Sequence, residues 1–440
     1  MQVGILGGGQ LGRMLALAGY PLGVRCVVYD PSPDACAGEV APLLCAPYDA
    51  ADSLERFAQG KQVITYEFEN VPVETARQLE RYAPVRPTPR ALELFQDRLL
   101  EKQFLQEVGI PTPAFAPVDL DNPAGALEQV GCPCVVKARR GGYDGKGQAV
   151  AQTHGDYFRA VAQRGSQPLI AEAFVPFERE LSVVGVRGSN GETRVYPLVQ
   201  NHHHEGILRL SVAPAPNSDA LLPTAYDYIQ RLTHALGYVG VVALEMFQVG
   251  EQLLANEVAP RVHNSGHWTI EGAHTSQFEN HLRAILNLPL GSTAARGVSA
   301  MVNLIGEVPD IGAILRIEGA HLHLYGKSLL YLVSRALDDE RKIPLLGLER
   351  AVIPGWEKSS DQWAASHLPA VQKWLAEFKG SLWPVTDASV PINKKGKTQQ
   401  AQHGSFDNNI DVIAQTIERI AGHKPRQADR QVIDEVTCSE

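Results

Sequence analysis

The sequence predicts a multidomain fold of the α/β and α+β classes, and three observations carry that expectation. Its 440 residues exceed what one hydrophobic core ordinarily serves, so two or three domains are expected. The opening residues read as strand, glycine turn, helix and strand, a unit of a parallel sheet. Farther on, successive strand-like runs and a strand pair about a turn mark a second, α+β region.

The elements follow in order. Gln2–Leu6 is an apolar run that breaks into Gly7-Gly8-Gly9-Gln10-Leu11-Gly12-Arg13, and Leu11, Met14, Leu15 and Ala18 continue with helical spacing. Arg25–Asp30 and Val63–Tyr66 are further strands, the latter leading into Glu67-Phe68-Glu69-Asn70. Leu92–Val108 reads as one helix, closed by Gly109 and the pair Pro111 and Pro113, with a domain boundary near residue 100. Cys134–Lys137 is a strand running into the glycine-rich stretch Gly141–Gly147. Leu169–Val175, Glu180–Val186 and Arg194–Leu198 are strand-like, and Ala225–Leu236 is helical. Val239–Val249 and Leu253–Val258 flank the turn residues Gly250-Glu251, and a helix follows near Ser276–Leu286. Alternating residues in 299–305 and 320–325 suggest a small closing β-element. Pro391–Ser405, rich in Lys, Gln and Gly, reads as linker or disordered chain, and Ile410–Ala421 as one amphipathic helix.

Composition excludes several classes. A net charge of -9 argues against a nucleic-acid partner, since little here would neutralise a run of phosphates. No apolar run approaches the ~18 residues of a membrane span, and Met1–Gly9 lacks the basic flank of a secretory leader. Cys26, Cys36, Cys45, Cys132, Cys134 and Cys438 form no CxxC pair and no metal-ligand spacing, as expected in a reducing cytoplasm.

Two glycine-rich segments bear on function. Gly7-x-Gly9-x-x-Gly12 follows a strand, precedes a helix and has Asp30 closing the next strand, which is formally a dinucleotide fingerprint. NAD(P), another phosphorylated ligand and simple tight packing all remain open on that pattern alone. In the second segment Lys137 ends a strand and Arg139-Arg140-Gly141-Gly142-Tyr143-Asp144-Gly145-Lys146-Gly147-Gln148 follows. Four glycines flanked by cations suit a flap over polyphosphate, against the alternative of a solvated surface loop. Downstream, a turn centred on Glu251 would pair residues 249 with 253, 247 with 255 and 245 with 257. Glu245 and Glu257 would then share one face, where opposed like charges call for a cation such as magnesium. Asn256 would point to the other face without a local twist. The alternative is that Glu245 lies on a solvated face.

In this order the pieces resemble the ATP-grasp superfamily, and within it the N5-carboxyaminoimidazole ribonucleotide synthase family. The resemblance rests on Gly8-Gly9-Gln10-Leu11-Gly12-Arg13-Met14, Gly141–Gln148, Gly237-Tyr238-Val239-Gly240 and above all Asn256-Glu257-Val258-Ala259-Pro260-Arg261-Val262-His263-Asn264-Ser265-Gly266-His267-Trp268. It covers roughly Met1 to Lys327. It implies a Rossmann-like N-terminal domain (residues 1–100), an ATP-grasp central domain (101–290), a small C-terminal β-element (291–330) and an atypical extension (331–440). It also implies ATP-dependent carboxylation of aminoimidazole ribonucleotide with bicarbonate, through carboxyphosphate, by a cytoplasmic homodimer using Mg2+ or Mn2+, with no nucleic acid and no membrane involved.

The resemblance further implies roles. Arg98 and Lys137 would contact the ATP phosphates under the flap of Gly142, Tyr143, Asp144, Gly145, Lys146, Gly147 and Gln148. Glu172, Ala173, Phe174 and Val175 would form the hinge that reads adenine, Glu180 would hold the ribose, and His203 would be a further nucleotide contact. A zinc site in His202-His203-His204 is disfavoured, because adjacent side chains on an extended chain alternate in direction. Glu245 and Glu257 would hold the metal beside Asn256. Arg261, Lys137, His263 and Asn264 are the catalytic candidates, and Gln10, Leu11, Glu69, Tyr143, Arg261 and Ser265 the ribonucleotide-binding ones. One departure stands out: past His321–Lys327 the family continues into a Gly-Arg-Lys-x-Gly-His strand that helps bind the substrate phosphate, whereas this chain reads Ser328-Leu329-Leu330-Tyr331-Leu332-Val333. The closing sheet would lack that strand, with Arg341 and Lys342 as candidate substitutes. A formate-dependent glycinamide ribonucleotide transformylase, a non-catalytic nucleotide-binding protein and an NAD(P) dehydrogenase are the rival readings.

Overall fold

A computed structural model describes residues 1–141, 147–204, 206–305, 311–317, 319–325, 329–335, 389–391 and 398–400. It divides into one unit of residues 1–306 and 323–333 and a second of residues 307–322 and 334–440. The flap residues Gly142–Lys146, the candidates Arg341 and Lys342, and the helix expected over Ile410–Ala421 lie outside the described residues.

The first unit opens as expected. β1 (Gln2–Leu6), α1 (Gln10–Gly19), β2 (Arg25–Asp30), β3 (Leu43–Cys45), α2 (Ala51–Ala58) and β4 (Val63–Tyr66) form a four-stranded parallel sheet in the order β3-β2-β1-β4. Its strands are apolar on both faces because both are covered, and Val3, Ile5, Leu6, Val28 and Ile64 are fully buried. After α3 (Val73–Leu79), the single helix expected over Leu92–Val108 is instead two, α4 (Pro89–Phe95) and α5 (Arg98–Glu107). Asp97 is the reason: its backbone is extended and its carboxylate accepts from Leu99 N at 3.0 Å, capping α5 rather than continuing α4.

β5 (Phe115–Val118), α6 (Ala124–Val130), β6 (Cys134–Ala138), β7 (Gln148–Ala151), α7 (His154–Ala162) and β8 (Leu169–Ala173) follow. Their strands form an antiparallel sheet in the order β5-β8-β6-β7. The strand expected to reach Val175 stops at Ala173, so Phe174 and Val175 lie just beyond its end.

The large sheet is built from β9 (Arg179–Arg187), β10 (Thr193–Val195), β11 (Val199–His204), β12 (Ile207–Ala213), β13 (Gly240–Val249), β14 (Gln252–Ala259) and β15 (Ser299–Ile305), with α8 (Leu222–Ala235), α9 (Thr269–Gly272) and α10 (Gln277–Ile285) between them. The strand expected over Arg194–Leu198 ends early, with β10 stopping at Val195 and β11 starting only at Val199, because Pro197 offers no N–H to a ladder. Beyond α11 (Ile311–Leu315), β16 (Ala320–Tyr325) and β17 (Leu329–Arg335) complete the order β14-β13-β9-β11-β12-β15-β17-β16, with β10 on the side of β9. The closing sheet is thus not short of a strand after Lys327: the apolar run that replaces the family sequence has the composition of a strand and takes a place between β15 and β16. Within the second unit, the stretch Pro391–Ser405 expected to be linker contributes β19 (Thr398–Gln400), paired antiparallel with β18 (Ser389–Pro391), whose edge position tolerates Pro391.

Candidate active site

Register explains which side chains converge. On the large sheet Glu257 of β14 pairs with Glu245 of β13, Glu245 pairs with Ser182 of β9, and Phe247 pairs with Glu180. Directly opposed residues share a face, and β11 adds Asn201 opposite Glu180 and His203 two residues on. On the smaller sheet Lys137 pairs with Gln148, and Val135 with both Val150 and Glu172. The two faces bound a cavity of about 490 Å3 whose lining includes Arg98, Lys137, Glu172, Glu180, His203, Glu245 and Glu257.

The hairpin reaches the expected pairing by an unexpected route. The turn is two residues, Gly250-Glu251, so Val249 pairs with Gln252 and Phe247 with Leu254, not with residues 253 and 255. That register alone would set Asn256 against Glu245. A bulge between Met246 and Glu245 makes Asn256 the extra residue and restores Glu245 opposite Glu257. The bulge also supplies the twist that Asn256 needed, and Asn256 lines the cavity with the two carboxylates.

The acidic face has the marks of a cation site. Burial pushes the Glu245 carboxyl up to about 7, His203 opposes that shift and Glu257 adds to it. The Asn256 Oδ1 atom is buried beside them with no hydrogen-bond partner. Two carboxylates and an amide oxygen suit a hard divalent ion that completes its shell with water and substrate phosphate. Among the described residues no group of three His, Cys, Asp or Glu could hold a metal. His203 instead pairs through Nδ1 with Glu180, and His202 contacts Gln200. Burial works against charge on His203, but the hydrogen bond and charge of Glu180 outweigh it and raise its pKa to about 9.

Basic groups stand opposite. Lys137 Nζ donates to Glu172 Oε2 at 3.0 Å, and Lys102 Nζ lies 3.6 Å from the same oxygen. Arg98 Nη2 lies 3.7 Å from Glu257 Oε2. Arg139 grips Asp97 with two bonds at 2.9 and 2.8 Å, and Arg140 adds a third at 3.2 Å, so the N-terminal arm of the glycine flap is tied to the start of α5. Arg261 pairs with Glu69, whose backbone carbonyl accepts from Gln96 Nε2 at 2.7 Å. His263 accepts at Nδ1 from Ser265 N at 3.3 Å, which turns its Nε2–H toward Glu245 Oε1 at 3.4 Å. Burial holds the His263 pKa well below the usual histidine range, and Arg261 and His203 push it the same way. Its backbone is clamped by Gln277, at 3.0 and 2.6 Å.

Of the residues singled out in the sequence, Glu69, Arg98, Lys137, Gly147, Gln148, Glu172, Ala173, Phe174, Val175, Glu180, His203, Glu245, Asn256, Glu257, Arg261, His263 and Asn264 all line the cavity. Ser265 is fully buried behind His263. Gln10 and Leu11 are not among the lining residues; Leu11 faces the core. Sequence reading missed Phe247, stacked on Phe177 at 4.7 Å and 10° on the cavity wall, though its place two residues from Glu245 put it on the same face. It also missed Glu67.

Glu67 resolves the first glycine loop. Its carboxylate, 7% exposed, accepts from Gly9 N at 2.9 Å and Gly12 N at 3.1 Å, while Asp30 Oδ2 accepts from Gly8 N at 2.7 Å. The amides that a dinucleotide fingerprint would turn toward a pyrophosphate are already occupied by the chain's own carboxylates. Gly7 adopts φ +92, and a Cβ there would lie 2.7 Å from Glu67 Cγ.

Comparison with known proteins agrees with this architecture. Residues 1–96 match the model of the ribonucleotide synthetase preATP-grasp domain, residues 103–278 that of the ATP-grasp domain, and residues 299–330 that of the phosphoribosylaminoimidazole carboxylase C-terminal domain. The chain is 51% identical, over 74% of its length and 91% of the relative's, to the N5-carboxyaminoimidazole ribonucleotide synthase of Pseudomonas aeruginosa. The crystal structure of the corresponding synthetase from Thermus thermophilus is similar at a TM-score of 0.73 and 52% identity, covering 83% of this chain and 99% of that one. A synthase from Aspergillus clavatus in complex with ADP and the aminoimidazole ribonucleotide is similar at a TM-score of 0.70 and 30% identity, over 76% and 93% of the two chains.

Proposed function

The chain belongs to the N5-carboxyaminoimidazole ribonucleotide synthase family of ATP-grasp ligases, and from that premise we propose how its residues divide the work of the reaction. It is an ATP-dependent carbon–nitrogen ligase of purine biosynthesis. On this reading, bicarbonate supplies the carboxyl group, magnesium (or manganese) is the ion the site would take, and the active species is a cytoplasmic homodimer, as the family resemblance implies.

Bicarbonate is a poor electrophile, so ATP first phosphorylates it to carboxyphosphate. The exocyclic amine of aminoimidazole ribonucleotide then captures the carboxyl group, and phosphate leaves. No protein nucleophile is required, so catalysis falls to positioning and charge stabilisation. Adenine takes the pocket of Glu172–Val175 between Val135 and the Phe177–Phe247 pair, with Glu180 on the ribose. Lys137, Arg98 and the flap Gly142–Gln148 meet the phosphates. Glu245, Glu257 and Asn256 are the residues that would hold the divalent ion, which when bound would supply positive charge against the phosphoryl oxygens. Arg261, neutralised by Glu69 in the absence of substrate, is freed by the incoming ribonucleotide to face carboxyphosphate. Neutral His263 presents its Nε2–H to the same point, and Asn264, whose Oδ1 is buried without a partner, offers an amide there. Ser265 orients His263, and closure of the flap excludes water from the labile intermediate. Gln10, Leu11 and Tyr143 are retained as ribonucleotide contacts on the resemblance alone.

The observation that carries this reading is the opposed pair Glu245 and Glu257 beside an unpartnered amide oxygen, at the floor of a cavity walled by Lys137 and Arg98. Glu257→Gln is expected to lower turnover by roughly 10³-fold, the scale of losing one electrostatic element of the transition state. Circular dichroism and melting should be unchanged, because the carboxylate is half exposed to the cavity. Coupled ATP hydrolysis and carboxylation near the wild-type rate in that variant would refute the metal assignment.

A further inference from the structure

The face of α5 that meets β14 carries Arg98, Glu101 and Lys102, at the spacing that groups side chains on one side of a helix. Each holds a different atom of residues 255–258. Lys102, fully buried, donates through Nζ to Ala255 O at 3.2 Å and Asn256 O at 2.7 Å. Glu101, also buried, accepts from Val258 N at 2.6 Å. Arg98 reaches the Glu257 carboxylate itself.

These contacts fall on the bulge. An extra residue leaves ladder groups unpaired, and an unpaired buried carbonyl is costly. An ammonium has three donors and no acceptor, so it can satisfy both carbonyls at once. Without the bulge the ladder would run on from Met246–Ala255 to set Asn256 against Glu245 and turn Glu257 to the opposite face. A fully buried lysine is seldom the most stabilising choice for a core position, which points to a role in geometry.

We infer that Lys102 is a positioning residue: it fixes the bulge at Asn256 and thereby aims Glu257 at Glu245, with Glu101 holding the strand on the far side. The inference rests on the reading of Glu245 and Glu257 as ligands of the divalent ion.

The test separates the two. Full-length wild-type, Lys102→Met and Glu257→Gln proteins are titrated by calorimetry with ADP free of divalent ions, and the ADP complexes with Mn2+ followed by electron paramagnetic resonance. Lys102→Met is expected to bind metal-free ADP within about threefold of wild type while its Mn2+ affinity falls roughly 10–100-fold, the usual effect of removing a group that orients a metal ligand. Should Lys102→Met not fold, Lys102→Gln, which keeps a donor but loses the charge, is read in the same way. Wild-type Mn2+ affinity in the Lys102 variant with weakened affinity in Glu257→Gln overturns this inference alone. Unchanged Mn2+ affinity in Glu257→Gln overturns the metal reading and the inference with it. Equal loss of ADP and Mn2+ affinity in the Lys102 variant also overturns it, since the lysine would then support the whole cavity.

Discussion

Glu172 is 3% exposed and is flanked by two ammonium groups, Lys137 at 3.0 Å and Lys102 at 3.6 Å. Burial alone would raise its pKa; the charges of Lys102 and Lys137 and the hydrogen bond from Lys137 outweigh it and hold the carboxyl at about 2, against an ordinary 4.5. A depressed carboxyl pKa gives stability that is present above the unfolded value and is lost as pH falls through the folded one. At neutral pH the gap corresponds to about 3 kcal/mol. Glu172→Gln should therefore lower the unfolding free energy by that order at pH 7, and the difference from wild type should shrink between pH 4.5 and pH 2. Urea melts across that range check it, and a difference independent of pH would contradict the ion-pair account. Glu172 was singled out in the sequence only through the family resemblance, which implied a hinge at Glu172–Val175. Lys102 was not, since nothing in a helical stretch distinguishes a buried lysine from a solvated one until its partners, 70 and more residues away, are in place.

At the scale of elements, the two glycine-rich loops look alike as strings and differ in what answers their amides. The β1–α1 loop is closed by Glu67 from the end of β4, so the glycines serve close packing against an internal anion. Position 67 read in sequence only as part of an acidic strand end, and the parallel pairing of β1 with β4 is what brings it over Gly9 and Gly12. The protein is accordingly expected to show no saturable binding of NADH in a fluorescence titration up to roughly 1 mM, the level of a contact worth about 4 kcal/mol. Micromolar binding there would mean that Glu67 yields its place to a pyrophosphate. The β13–β14 hairpin carries a related lesson. Turn chemistry located it, and the pairing of Glu245 with Glu257 was expected, but from a symmetric ladder that the chain does not have. A bulge leaves no local signature when the group that stabilises it, here the Lys102 ammonium, comes from another element.

Across the described residues, the cavity draws on positions from Glu69 to Asn264, contributed by the segment after β4, by α5, by two antiparallel sheets and by the segments between their strands. One buried imidazole bridges β4 and β13: His281 accepts at Nδ1 from Val241 N at 3.1 Å and contacts Thr65 Oγ1 at 2.9 Å, and burial lowers its pKa to about 3, so it stays neutral at working pH. The layout of the first unit was legible because strands and glycine turns repeat in a known order; the sequence after Lys327 was not, because its departure from the family pattern removed the motif without revealing that another strand, β17, would fill the sheet. Since every cavity residue among the described residues precedes residue 265 and the described strands of the large sheet end at Arg335, nucleotide binding should not require residues 336–440. A chain ending at Arg335 is expected to bind ADP within about threefold of the full-length protein, a difference below 1 kcal/mol. Calorimetry on the two chains decides the point. A loss beyond about tenfold, or 1.4 kcal/mol, would assign the extension a part in the nucleotide site; unchanged ADP affinity with a raised KM for the ribonucleotide would confine its contribution to the second substrate.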